Sequence, residues 1–353
     1  MSRAVTIAVA LLVLLWTVPT LGLLVTSLRD RDQIAASGWW RAGLPATVSG
    51  FVRVGDQGEI AGQALRPGER LVAWGTSSRA PMAYRPGETV QVKGGQVSVT
   101  ADGRYRLTAP NGRGMRIFVT AKVPPKLTLD NYRRVIGVEG LGRAFLNTLM
   151  VTVPATVLPI LIAAFAAYAL AWMEFPGRAL LGAALAGLLV VPLQLALIPL
   201  LKFHNDIGLG KGYLGIWFAH TGFGLPVAIY LLRGYMARLP REIIESARID
   251  GASELQVFRG IVLPLSFPAL ASFAIFQFLW VWNDLLVATV FLGNRPDQLV
   301  MTGVLREMMG ARGGEWEILA ASAFVSITVP LAVFFVLQKY LVRGLLAGAV
   351  KGG

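Results

Sequence analysis

Six windows of this chain, 4–28, 144–173, 179–201, 212–232, 260–283 and 318–338, contain no Asp, Glu, Lys or Arg. Each is at least about 20 residues long, enough for a helix to cross a hydrocarbon layer of roughly 30 Å. Lipid offers a backbone no hydrogen-bond partners, so such windows are expected to satisfy their own amides as helices. With 55% apolar and 15% charged residues over 353 positions, a soluble fold is excluded and an all-α polytopic membrane protein with six transmembrane helices is expected. The first window exceeds the roughly 7–15 residue core of a secretory signal, and no small-x-small site precedes Arg29. It is therefore read as a retained anchor, with residues 1–28 forming the N-terminus and first span.

Residues 29–130 change character: Gly and Pro become frequent, apolar runs shorten, and period-two alternation appears. Strands are expected at 47–54, 70–74, 96–100, 103–108 and 116–122, with a hairpin turn at 101–103 and Arg-Pro-Gly-Glu turns at 66–69 and 85–88. This is a small β-rich insertion between spans one and two. Residues 29–143 hold 18 of the 33 basic residues against nine acidic ones, so most of the +13 net charge lies before the second span rather than in a nucleic-acid site. The basic surface can face anionic lipid or an acidic partner, or simply be solvated. Trp39, Trp40 and Trp74 could stack on sugar, whereas the Trp39–Trp40 pair also suits a membrane-interface anchor. There is no cysteine, hence no disulfide and no thiolate metal site.

Residues 131–353 carry the remaining five spans. Between the fourth and fifth lies a polar stretch, 240–264, that caps itself. Pro240 fits a first helical position, Glu242 the positive end, Arg248 the negative end, and Gly251 the left-handed residue that closes a helix. Ser253 with Gln256 is a capping-box signature for a second helix running through Val257 and Phe258 towards Pro264. A polar helix pair between apolar spans reads as a docking surface, although an ordinary amphipathic surface helix has the same pattern.

The spacing is more specific than the pattern. Glu245-Ser246-Ala247, then Gly251 three residues on, then Ile261-Val262-Leu263-Pro264 after nine more, resembles the EAA loop of ABC import permeases, with Ser246 in place of one Ala. The likeness continues in LTLDNYRR at 127–134, FLNTL at 145–149, FPGR at 175–178, Pro192 and Pro199, NDIGL at 205–209, WND at 282–284 and GLLAGAVKG at 344–352. Those motifs are similar to the carbohydrate type of ABC importer permease, the binding-protein-dependent transport inner membrane components. The insertion and SGWW at 37–40 look nearest to the α-glucoside branch within the maltose-type group.

The resemblance implies a cytoplasmic coupling helix in the 233–262 loop, with Glu245, Ala247, Asp250, Gly251 and Ala252, together with Leu263 and Pro264, forming the contact to a separate ATPase. It implies a second ATPase contact at Gly348, Ala349, Val350 and Lys351. The expected partners are an ABC ATPase dimer, a second homologous permease, an extracytoplasmic sugar-binding protein and membrane lipid. No cofactor is expected on this chain, since ATP and Mg would bind the ATPase. A cytoplasmic loop puts both termini in the cytoplasm of a multi-pass inner (plasma) membrane protein and the β-rich insertion outside. Arg233, Arg238, Arg241, Arg248 and Arg259 agree with that side, against Lys202, Lys211, Arg295, Arg306 and Arg312 outside, a modest bias.

Enzymatic chemistry is not expected. Gly208-Leu209-Gly210-Lys211-Gly212 lacks the spacing of a phosphate loop, and His204 and His220 have no clustered carboxylates to make a metal site. Polar residues inside apolar windows are costly and tend to line a water-filled path. Gln277, Trp282, Asn283 and Asp284 on span five are the candidates for contact with a passing sugar, with Gln194 and Asn147 able to face them; Trp282 and Asp284 could equally mark where the span leaves the membrane. An ion-driven secondary carrier would need carboxylates near the midplane, which are missing. A membrane-anchored extracytoplasmic recognition module would need no coupling loop.

Overall fold

Long helices flank a block of short strands in the computed structural model, which describes residues 3–54, 58–93, 95–109, 115–138, 140–311 and 314–349. In chain order the helices are α1 (Arg3–Ser27), α2 (Arg31–Ala36), α3 (Asp130–Ile136), α4 (Leu141–Trp172), α5 (Arg178–Leu188), α6 (Leu193–Asp206), α7 (Tyr213–Met236), α8 (Arg241–Ile249), α9 (Glu254–Val257), α10 (Leu263–Leu265), α11 (Phe267–Trp282), α12 (Leu286–Phe291), α13 (Met301–Ala311) and α14 (Trp316–Ala349). The strands between α2 and α3 are β1 (Ala46–Val54), β2 (Gly58–Gln63), β3 (Arg70–Gly75), β4 (Thr89–Val92), β5 (Gly95–Val99), β6 (Arg104–Ala109) and β7 (Met115–Val123). Two compact units result: residues 1–135 with 312–324, and 136–311 with 325–353.

In the first unit, β1-β7-β3 and β2-β6-β5-β4 form two antiparallel sheets. Alternate residues of both meet in one core that includes Val54, Leu71, Trp74, Val97, Leu107, Ile117 and Val119. The two Arg-Pro-Gly-Glu segments make matching turns, with Gly68 at φ 90° and Gly87 at φ 88° and bonds Glu69 N–H to Arg66 O and Glu88 N–H to Arg85 O. Pro before a positive-φ Gly is the type II arrangement. The five expected strands are present to within a residue or so at each end. β2 and β4 are additional: β2 carries two glycines and β4 only four residues, so neither announces itself without its partner strand. Trp74 is not available to a sugar, because it is fully buried on Tyr84 and donates Nε1–H to the Arg85 carbonyl at 2.9 Å. The LTLDNYRR run clamps the end of α1: Asn131 Nδ2 donates to the Ser27 and Arg29 carbonyls at 2.9 and 2.8 Å, and Tyr132 hydroxyl meets Ser27 Oγ at 2.7 Å.

Among the described residues four helices, α1, α4, α7 and the 316–340 part of α14, are long and apolar enough to cross a membrane, or up to six crossings if each of two bent pairs counts as one. The window 179–201 is not a straight crossing. It divides into α5 and α6 at a bend of 110°. Leu189, Val190 and Val191 close the first helix by i→i+3 bonds, and Pro192, which has no N–H, holds an extended ψ of 122°. The fifth window bends by 69° at Ser266. Pro264 cannot donate to the ladder, and the preceding turn, Phe258–Val262, widens to a π-helix in which Leu263 N–H reaches the Phe258 carbonyl.

Candidate functional site

The polar stretch 240–264 folds as two short helices hinged at Gly251. α8 ends in a Schellman arrangement: Gly251 N–H bonds the Arg248 carbonyl at 3.1 Å and Ala252 N–H bonds the Ala247 carbonyl at 3.0 Å, with Gly251 at φ 85°. Only glycine takes that left-handed conformation without strain. α9 opens with both halves of a capping box, Ser253 and Gln256 exchanging side-chain and backbone bonds. Pro240 sits one position before the first helical residue, as the N-cap.

Helix periodicity then divides α8. Ile244 is buried with Val257 and Phe258, while Ala247 and Ala252 pack partly against the same cluster, which includes Tyr168 of α4 and Leu232 and Met236 of α7. Phe258 packs on both Phe165 and Tyr168, ring centroids 4.6 and 5.2 Å away. Polar bonds complete the anchoring. Arg248 Nη2 donates to the Trp172 carbonyl at 3.1 Å and to the Glu254 carboxylate at 3.0 Å, and Tyr168 hydroxyl donates to that same carboxylate. Hydrogen bonding to Glu254 holds the Arg248 guanidinium above its ordinary pKa. Arg233 Nε and Trp172 Nε1 cross-link the ends of α4 and α7 through the Leu170 and Met236 carbonyls.

Glu245, Asp250 and Gly251 remain outside, exposed. Beside them stand two apolar side chains that sequence reasoning passed over, Ile249 at 86% exposure and Leu255 at 63%. In the sequence Ile249 is one more apolar residue near a helix end; only the placement of Ile244 inward shows that Ile249 faces out. Leu263 packs partly on the core cluster and Pro264 is exposed. Gly348 and Ala349 belong to α14, and Val350 and Lys351 lie outside the described residues.

The span-five candidates do not gather in one place. Gln277 lines a half-open cavity of about 630 Å³ between the α5–α6 bend, α7 and α11, together with Trp280, Phe276 and Phe223. Its amide donates to the Ala155 carbonyl at 3.0 Å. Trp282 is buried against Phe278 and Phe145 and donates Nε1–H to the Ser326 carbonyl at 3.0 Å. Asn283 is exposed and bonds back to its own helix at the Leu279 carbonyl. Asp284 accepts from the backbone of Val287 and Ala288 at the start of α12, 3.8 Å from His220 Nε2. Asn147 is held by the Asp297 and Leu299 carbonyls and the Tyr213 hydroxyl, and Gln194 is exposed.

A family model described as "Binding-protein-dependent transport system inner membrane component" matches residues 138–346. The chain is 59% identical over 372 residues to the "Alpha-glucoside transport system permease protein AglG" of Rhizobium meliloti, covering 100% of this chain and 98% of that one. It is 43% identical over 345 residues to the "Osmoprotective compounds uptake permease protein GgtD" of Synechocystis sp., covering 98% and 91%. Both alignments run through the β-rich residues that precede the family match. Among solved structures, a chain of a bacterial ABC transporter involved in the import of the acidic polysaccharide alginate superposes with a TM-score of 0.52 at 25% identity, covering 62% of this chain and 81% of that chain.

Proposed function

Because this chain belongs to the family of binding-protein-dependent transport system inner membrane components, we propose that it forms half of the translocation path of an ATP-driven importer of α-linked glucosides. It is a sugar permease of the ABC importer type, embedded in the membrane, and its near-full-length likeness to an α-glucoside permease supports that substrate class. Reading the β-domain as the working part and the spans as a mere anchor is not favoured, since the family match lies on 138–346.

The observation that carries the mechanism is the α8–Gly251–α9 element, exposed on one face and tied to the ends of α4 and α7 on the other. A separate ATPase dimer would seat Ile249, Asp250, Gly251, Glu245 and Leu255. ATP and Mg would bind there, on the partner. When the ATPase closes, it displaces α8, and the Arg248 bonds and the Ile244 packing pass that movement to α4 and α7 as a rigid-body shift. In this reading each bent pair counts as one crossing, which makes six spans, and both termini lie on the cytoplasmic side with the coupling element while the β-domain lies outside. Gly348 and Ala349 at the end of α14, with Val350 and Lys351, would add a second ATPase contact. A homologous second permease closes the path, and Gln277, Asn283 and Asp284 are this chain's proposed sugar-side residues, with Trp282, closed in by Phe145, Phe278 and the Ser326 carbonyl, proposed to support them from behind.

Purification of the tagged chain from its native membrane in mild detergent, followed by mass spectrometry, tests this. An ATPase, a second permease and a sugar-binding protein in stoichiometric amounts are expected. A chain that is stable alone overturns the docking role of 240–264.

A further inference from the structure

Among the described residues, the outward face of the β1-β7-β3 sheet lacks counter-charge. Register puts Phe51 opposite Phe118 and Arg53 opposite Arg116, and Arg70 of β3 opposite Lys122 of β7. Phe51 is 57% exposed, its ring centroid 6.0 Å from that of Phe118, and the Arg116 guanidinium lies 5.1 Å above it. All four cations are exposed. Like charges directly opposite destabilise a sheet, yet none of the three strands contains an Asp or Glu. Among the described residues none of the four cations has an ion pair. The neighbouring Glu69 is turned into its own turn, accepting from Arg66 N–H at 3.0 Å.

An aromatic centre rimmed by arginine has the anatomy of a protein interface, where Arg and aromatic residues are enriched. Adsorption to a membrane surface needs a broader apolar face, and a sugar site needs concavity and hydrogen-bonding groups. Guanidinium groups with no internal partner take carboxylates as bidentate ligands. We propose that this face docks an acidic surface of the extracytoplasmic binding protein that delivers substrate. The inference rests on the importer reading, which places residues 29–130 outside.

Photo-crosslinking in intact cells separates the two. One full-length variant carries benzoylphenylalanine in place of Phe51, another carries it in place of Ile249, and adducts are identified by mass. Phe51 is expected to capture a substrate-binding protein, and Arg53→Glu with Arg116→Glu should cut that adduct at least about tenfold at unchanged chain levels. Should the double variant fail to reach the membrane, Arg70→Glu at the other end of the face serves in its place. Capture of lipid only, of the second permease, or an adduct indifferent to charge reversal would overturn the proposal. So would an empty Phe51 position in a chain whose Ile249 position captures an ATPase. An Ile249 position that captures no ATPase overturns the docking role of α8 instead, and leaves the Phe51 face to be decided by its own adduct.

Discussion

Arg248 and Glu254 stand on opposite sides of the Gly251 turn, and their side chains meet at 3.0 Å. The angle between α8 and α9 is thus held twice, by backbone bonds through Gly251 and by a charged pair that also engages the Trp172 carbonyl and the Tyr168 hydroxyl. The Gly251 turn joins α8 to α9 through side chains as well as through the backbone.

Gly251→Ala tests the backbone half. A Cβ there meets nothing within 4 Å, so the change is purely conformational. A non-glycine residue in the left-handed region costs roughly 1–2 kcal/mol. Expected are normal membrane levels with sugar uptake lost while ATP hydrolysis persists. Parallel uptake and ATPase assays decide it, and full uptake by a bulkier Gly251→Val chain would count against the coupling role.

The charged half is weaker. Both side chains are about a third exposed or more, at 35% and 43%, and a pair so placed contributes about 1 kcal/mol or less. In a double-mutant cycle of Arg248→Leu and Glu254→Gln read by thermal unfolding in detergent, the coupling energy should stay under about 1 kcal/mol. A larger value would mean the network is less open to water than its exposure implies.

Ile249→Asp alters a side chain that touches little of its own fold. Stability should change by no more than about 0.5 kcal/mol, while co-purification of the ATPase falls sharply. Retention of the ATPase at wild-type stoichiometry would move the docking surface elsewhere.

Gly224 and Gln277 share one space, because a Cβ on Gly224 would lie 2.8 Å from both the Nε2 and Oε1 atoms of Gln277. Gly224→Ala should force the amide off the Ala155 carbonyl, at a cost of about 1–3 kcal/mol for the unpaired buried group. Gln277→Leu should cost a comparable amount, since the Ala155 carbonyl loses its donor and Pro159, four residues on, has no N–H to replace it, and should raise the KM for sugar with basal ATP hydrolysis unchanged. An unaltered KM would take Gln277 off the path.

Trp74→Ala should open the β-sandwich. Removing a fully buried aromatic costs about 3–5 kcal/mol, and the Arg85 carbonyl loses its donor. Limited proteolysis should then cleave within 46–123 under conditions that leave the wild-type chain whole. Equal resistance would show that the sandwich core tolerates the cavity.

Sequence alone determined what depends on local satisfaction. A lipid-length window must bond its own amides, so helices could be read from the absence of charge. The ends of α8 and α9 are made by residues within a few positions of each other, so Gly251, Ser253 and Gln256 were legible as caps. The five strands with clear alternation were legible from their period of two, which marks a face to be buried rather than a bond made locally. Tertiary structure decided whatever depends on distant partners. A charge-free window has no direction, and the 110° bend before Pro192 turns one expected crossing into two helices. β2 exists because β6 supplies its bonds. Trp74 and Trp282 were indistinguishable from exposed Trp40 until the Arg85 and Ser326 carbonyls took their N–H groups and closed them inside. Period and spacing say that a side chain is apolar, polar or charged, but which face of the molecule it occupies is set by what packs against it.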